Sequence, residues 1–246
     1  MSEPRLVVVP DMDALADLAA QRIEQVALAA APGTRATIAL AGGATPRAAY
    51  RHLAARCPPW ARVEFFFGDE RCVPPDDPAS NYGMAREALL DRIPLRPEQV
   101  HRIRGELEPA AAAEEAEAAL RTAVAGSPLP VLDLVVLGMG PDGHTASLFP
   151  GAPELDERER LFVSVHRSEL PQPWRVTMTL PVLNAARRVL VLVGDAAKAT
   201  VLPRAVAGDP AVPAGRVRPE PGGLTWIVTE AAAAGLPAEA RGATAR

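Results

Sequence analysis

The chain has 246 residues, 48% of them hydrophobic, and a formal net charge of −4. That is apolar material enough for one large domain or two small ones, and the mild acidity without any basic block argues against a nucleic-acid partner. No apolar run approaches a membrane span, residues 1–5 lack a signal-peptide pattern, and the two cysteines, Cys57 and Cys72, form neither a disulfide framework nor a metal-ligand spacing, which points to a reducing, cytoplasmic setting.

Strand-like runs of Val, Ile, Leu and Phe alternate with helical patterns along the chain. Residues 6–9 predict a strand and 11–31 a helix; 36–41 predict a strand and 45–56 a helix. A strand over 63–68 leads through a polar loop to a helix over 80–91. A short strand at 100–103 precedes a helix over 109–124, a stretch low in complexity but built of strong helix formers. Residues 131–137 form the next strand, followed by two adjacent strands at 161–165 and 174–180. A strand at 189–193 precedes a helix starting near Asp195, and a last strand at 224–229 precedes a short helix.

This order predicts an α/β fold: a three-layer α/β/α sandwich around a largely parallel, Rossmann-like sheet, its strands buried on both faces. Pairing between 161–165 and 174–180 would add a small antiparallel element. The Pro/Gly-rich stretch 206–223 reads as one long surface loop, not a linker, because a strand pattern follows it. Residues 1–246 thus read as a single domain, with 237–246 expected to fray.

Ligands collect at the carboxyl ends of parallel strands, and four such ends are suggestive. After 36–41 come Gly42, Gly43, Thr45 and Pro46, with Thr45 placed as N-cap and Pro46 in the first turn, a natural anion site at a helix N-terminus. The Gly-Lys-Ser/Thr ending of a Walker loop is absent. An ordinary strand-to-helix turn explains the same residues. After 63–68 come Asp69, Glu70 and Arg71, with Asn81 beyond the loop. Arg71 could pair with an anionic substrate and Asp69 or Glu70 could orient hydroxyls or a base, or the three could be a solvated strand end. Cys72 has no partner base in sequence.

The third end is GMGPDGHTASLFPG, after 131–137. Gly138, Gly140 and Gly143 imitate a dinucleotide fingerprint, but Pro150 and Gly151 stop any long helix there. A glycine turn carrying Asp142 and His144 fits proton transfer better, with a carboxylate to orient the one side chain that titrates near neutrality. His52, His101 and His166 read as structural. At the fourth, Arg175 opens one strand and Lys198 follows another, and each could reach a phosphate. Lys198 is the sole lysine among 26 basic residues. That marks a position needing a compact ammonium or chance survival at a solvated site, and composition leaves both open. No GxSxG elbow, HExxH or Cys/His metal spacing is present, so hydrolysis would most simply use water activated by His144 without a covalent intermediate.

Five segments, AGGATPRAAY (41–50), FFGDERCVPPDDPASNY (66–82), LGMGPDGHTASLFPG (137–151), WRVTMTLPVLNAA (174–186) and VGDAAKATVL (193–202), together resemble the 6-phosphogluconolactonase family, within the wider glucosamine-6-phosphate isomerase/6-phosphogluconolactonase superfamily. The resemblance implies a hydrolase without metal or cofactor that opens 6-phospho-D-glucono-1,5-lactone. It implies His144 as base, Asp142 orienting it, and phosphate held by Gly42, Gly43 and Thr45 with Arg71, Arg175 and Lys198; from their place at the second strand end, Asp69 is expected as a further catalytic carboxylate and Asn81 as a substrate contact. A monomer acting on a small phosphosugar lactone is the expected state. The deaminase branch places a glutamate five residues after that histidine, where this chain has Phe149, so a deaminase is disfavoured. A phosphosugar-binding module of a transcriptional regulator is disfavoured too, since the first strand begins at residue 6 and leaves no room before it for a helix-turn-helix. Where the family often has an aspartate beyond the last strand, Thr229 and Glu230 stand.

Overall fold

The computed structural model describes residues 4–31, 33–56, 58–219 and 223–241. Among these described residues nine strands form two sheets. The larger has six strands, β1 (Arg5–Val9), β2 (Ala36–Leu40), β3 (Val63–Phe67), β5 (Leu134–Gly138), β8 (Arg188–Val193) and β9 (Gly223–Thr229), in the order β1-β9-β8-β5-β2-β3. Every pairing in it is parallel. The smaller sheet, β4 (Asp69–Arg71), β7 (Trp174–Met178) and β6 (Phe162–His166), is antiparallel in the order β4-β7-β6.

The parallel strands read as unbroken apolar runs because both faces are covered: every residue of β2 and β3 is buried. Helices α1 (Met12–Ala29) and α2 (Ala44–Ala54) pack on each other and on the sheet. Asp11 caps α1 by accepting from the Ala14 N–H at 2.9 Å, and an apolar stripe from Leu15 to Ala27 faces inward. The crossovers from β5 to β8 and from β8 to β9 run back in the opposite direction, so right-handed connection places the smaller sheet, α5 (Leu180–Ala185) and α6 (Leu202–Ala207) on the other face. Helices α3 (Asn81–Ala88) and α4 (Pro109–Ala123) complete the larger elements, α4 against β6 and β7. Trp226, Tyr50, Phe65 and Phe67 are the bulkiest fully buried side chains. Among the described residues no helix is long and apolar enough to cross a membrane.

Several expectations are corrected. Residues 100–103 form no strand: Gln99 donates to the carbonyls of Trp60 and Val63 at 2.7 and 2.6 Å, and the backbone makes a single isolated bridge to β3, Val100 with Phe65, in place of a ladder. The antiparallel element has three strands because Asp69–Arg71, although charged, pairs with β7. The helix expected near Asp195 is a 3-10 turn, Ala196–Lys198, with the true helix starting at Leu202. The supposed surface loop 206–223 carries core residues, Val212, Ala214 and Val217, each at most 2% exposed; its residues 220–222 lie outside the described set. In the tail, Ala238–Arg241 is a short helix, α7, and 242–246 lie outside the described residues, as does Cys57. At the exit of β9 the Thr229 hydroxyl donates to Gly194 O at 2.9 Å and accepts from the Ala232 N–H at 3.2 Å.

Candidate active site

Strand order reverses between β2 and β5, and a cleft of about 610 Å³ opens there at the carboxyl ends of the strands. It gathers residues from four of them: Gly42, Gly43 and Thr45 after β2, Asp69, Arg71 and Asn81 beyond β3, His144 after β5, and Lys198 after β8. Arg175 enters from β7. Asp142 stands behind His144, off the lining.

At the β2 exit, Tyr50 of α2 pins the turn. Its buried hydroxyl accepts from the Ala41 N–H at 2.8 Å and donates to the Ala41 carbonyl at 3.0 Å. Gly43, not Thr45, is the N-cap: its φ of 102° suits glycine, and no side chain caps the helix. Thr45 is the second helical residue. The uncapped first turn leaves N–H groups and the positive helix end for an anion.

The second strand end is a buried carboxylate network. Glu70, 2% exposed, accepts from the N–H groups of Asn81 at 2.6 Å, Tyr82 at 2.7 Å and Arg71 at 2.8 Å, and from Ser80 Oγ at 3.1 Å. Burial raises its carboxyl above the usual range, opposed by those backbone donors. Glu70 thereby fastens the start of α3 to β4 and stays off the cleft lining, whereas Asp69 faces it. Asp69 accepts from Ser147 Oγ at 2.7 Å and Asn81 Nδ2 at 3.1 Å. The Asn81 Oδ1 atom is buried without a partner, pressed against Gly42, where any Cβ would overlap it.

Three cations rim the cleft. Arg71 donates from Nη1 to Ala79 O at 2.6 Å. Arg175 is 8% exposed; burial first, then the nearby Arg71, pull its guanidinium below its ordinary value, with Asp69 opposing. Lys198 Nζ lies 3.3 Å from Asp195 Oδ2, an exposed carboxylate that leaves the ammonium able to serve a ligand.

His144 sits on the glycine turn. Asp142 Oδ1 meets its Nδ1 at 2.6 Å and accepts from its backbone N–H at 3.1 Å. A donor at Nδ1 leaves Nε2 as the free basic nitrogen of a ring that lines the cleft. Gly140 leaves room for that ring, which a Cβ would overlap. Phe149 packs on it at 4.7 Å between ring centroids, so the position of the deaminase glutamate holds an apolar face, itself flanked by Arg167 and Arg175 at 5.1 and 5.7 Å.

The other histidines are held elsewhere: His52 beside Asp13 at 3.2 Å, His101 stacked on Phe66 and 3.1 Å from Glu64, His166 against Trp174. Sequence reasoning missed the roles of Tyr50 and Ser147. Both stood inside the quoted motifs, but their partners are set by the fold.

A family model described as "Glucosamine-6-phosphate isomerases/6-phosphogluconolactonase" matches residues 10–226. The 6-phosphogluconolactonase of Homo sapiens is 44% identical over 229 residues, 89% of this chain and 87% of its own. That of Nostoc sp. is 41% identical over 208 residues, 82% and 85% of the two chains. A solved 6-phosphogluconolactonase from Trypanosoma cruzi superposes with a TM-score of 0.84 at 32% identity, covering 96% of this chain and 98% of that one. A monomeric glucosamine-6-phosphate deaminase shares the fold, with a TM-score of 0.80 at 20% identity.

Proposed function

The chain belongs to the glucosamine-6-phosphate isomerase/6-phosphogluconolactonase family, and we propose that His144 is the general base with which it hydrolyses 6-phospho-D-glucono-1,5-lactone to 6-phosphogluconate, a step of the oxidative pentose phosphate pathway. The observation that carries the assignment is the 2.6 Å contact from Asp142 to His144 Nδ1, which leaves Nε2 free on a ring of the cleft wall.

Nε2 takes a proton from water as the water oxygen bonds to the lactone carbon. The resulting imidazolium lies against the Asp142 carboxylate, which both orients it and favours its charge. When the tetrahedral intermediate collapses, the ring C–O bond breaks and the leaving oxygen receives the proton back. The phosphate lies between the α2 N-terminus at Gly42, Gly43 and Thr45 and the cations Arg71, Arg175 and Lys198, an arrangement that satisfies a dianion from several sides. Asp69, steadied by Ser147 and Asn81, is the acceptor for sugar hydroxyls. Phe149 puts no carboxylate beside His144, so the proton relay that amine loss needs is missing.

The reading extends to one domain over residues 1–246, supported by a core cluster with members from Val7 to Leu236. It also extends to a monomer in the cytoplasm, where the unpaired Cys72 stays reduced.

The test is hydrolysis of freshly made 6-phosphogluconolactone, corrected for spontaneous opening, with glucosamine 6-phosphate as the alternative substrate. The wild type should open the lactone and leave the amino sugar intact. His144→Ala should lose about 10²- to 10⁴-fold in kcat while still binding 6-phosphogluconate. Wild-type turnover by that variant would sink the base assignment.

A further inference from the structure

Addition of water drives negative charge onto the lactone carbonyl oxygen, and that charge needs a donor of its own, away from the groups that grip the phosphate. We propose that the backbone N–H of Ala146 is this oxyanion donor. Three observations converge on it. Ala146 lines the cleft two residues beyond His144. Its N–H has no partner among the described residues, whereas the N–H of Thr145 donates to Leu148 O at 3.4 Å and that of Ser147 to Thr177 Oγ1 at 3.2 Å. Its φ is 48°, and it alone among the described non-glycine residues lies in the left-handed region.

Such backbone is unfavourable for an L side chain and persists only where the surroundings hold it. Here they hold it from both sides. The Leu148 N–H closes the turn onto the Thr145 carbonyl at 2.9 Å. Thr145 Oγ1 donates to Gly138 O at the end of β5 at 2.8 Å, and Ser147 Oγ to the buried Asp69 of β4 at 2.7 Å. Ala146 is the tip of a turn anchored to both sheets, on the segment that carries the base. An amide fixed this way needs no reorganisation when charge develops in front of it.

In the reaction the carbonyl π pair moves onto oxygen as the water oxygen bonds to carbon, and the Ala146 N–H hydrogen-bonds that oxyanion. The pair returns as the ring C–O bond breaks. The amide proton is shared in a hydrogen bond and never transferred.

The assignment rests on the hydrolytic reading and is tested apart from it. Incorporating lactic acid at residue 146 turns its amide into an ester, deleting the N–H while keeping the methyl side chain. The expected result is a fall in kcat of about 10²-fold with KM unchanged; a general loosening of the turn would raise KM as well and count against the proposal. Wild-type kcat in the ester enzyme, with His144→Ala still inactive in the natural backbone, overturns the oxyanion donor and leaves the base standing. Absence of lactone hydrolysis by the wild type would instead remove the hydrolytic reading.

If the ester protein does not fold, the natural enzyme labelled with ¹⁵N answers the question. In 6-phosphogluconate, the product, the carboxylate retains the former carbonyl oxygen, so saturation should move the Ala146 amide proton downfield. An unmoved Ala146 resonance at saturation overturns the proposal.

Discussion

Arg71 and Arg175 stand directly opposite each other across the β4–β7 ladder, and both line the cleft. Like charges in that position repel. Among the described residues the two guanidiniums hydrogen-bond to carbonyls alone, Arg71 to Ala79 at 2.6 Å and Arg175 to Gln172 at a long 3.4 Å. A strand pair that sets two cations side by side, neither in an ion pair with a carboxylate among the described residues, is built for an anion that arrives from outside.

Filling the cleft with a phosphosugar should therefore stabilise the protein. At 100 times its Kd, 6-phosphogluconate should add about 2.7 kcal/mol to unfolding, read as a rise in Tm. Arg175→Met should raise KM for the phosphorylated lactone about tenfold to a hundredfold, the loss of one charged hydrogen bond. Without ligand its Tm should hold or rise, since the repulsion with Arg71 is gone. Equal losses on phosphorylated and unphosphorylated lactones would show that Arg175 does not serve the phosphate.

Asp142 holds His144 by two hydrogen bonds, one to the ring and one to the backbone. Asp142→Asn keeps the size but removes the charge beside the imidazolium and offers an amide that can turn the wrong way. We expect kcat to fall about 10²-fold with little change in KM. Steady-state kinetics within twofold of wild type would mean that His144 orients itself.

How much of this was readable in advance follows from the range of the interactions. The parallel strands announced themselves as apolar runs, and the polar residues at their ends fell into one cleft because parallel strands deliver their carboxyl ends to one side. Asp69–Arg71 did not read as a strand, since three charges carry no strand propensity and only the ladder with β7 makes them one. The Ser147–Asp69 bond joins residues 78 apart, beyond any local pattern. Thr45 offers a hydroxyl that could cap the helix, yet the cap is Gly43, where the chain turns at φ 102° and glycine is favoured. Val212 looked like loop and is core: Gly143, at φ 86°, packs against it, where a Cβ would meet Val212 Cγ1.

Cys72 adjoins Arg71 but is not poised for chemistry. Burial first, then Glu70 and Glu108, push its thiol up to about 11. The thiolate forms only as pH rises through that value, so at pH 8 about one thiol in a thousand is ionised. In a Cys57→Ser background, alkylation of the native protein at pH 8 should be far slower than that of the unfolded chain, and should accelerate toward pH 10. A rapid native reaction at pH 8 would contradict the burial argument.

Gly140 gives the sharpest test of the turn that presents His144. A Cβ there would overlap the imidazole and come within 2.7 Å of Asp142 Oδ1. The Gly140 N–H also donates to the His144 carbonyl at 2.9 Å, so the backbone cannot easily withdraw. Gly140→Ala must push the ring off Asp142 or strain the turn, at a cost of about 1–3 kcal/mol. Either outcome displaces the base, and kcat should drop about 10²-fold in a protein that still folds by circular dichroism. Gly223→Ala serves as the contrast, because a Cβ there meets nothing within 4 Å. If both variants lose activity alike, the glycines matter for folding rather than for placing His144.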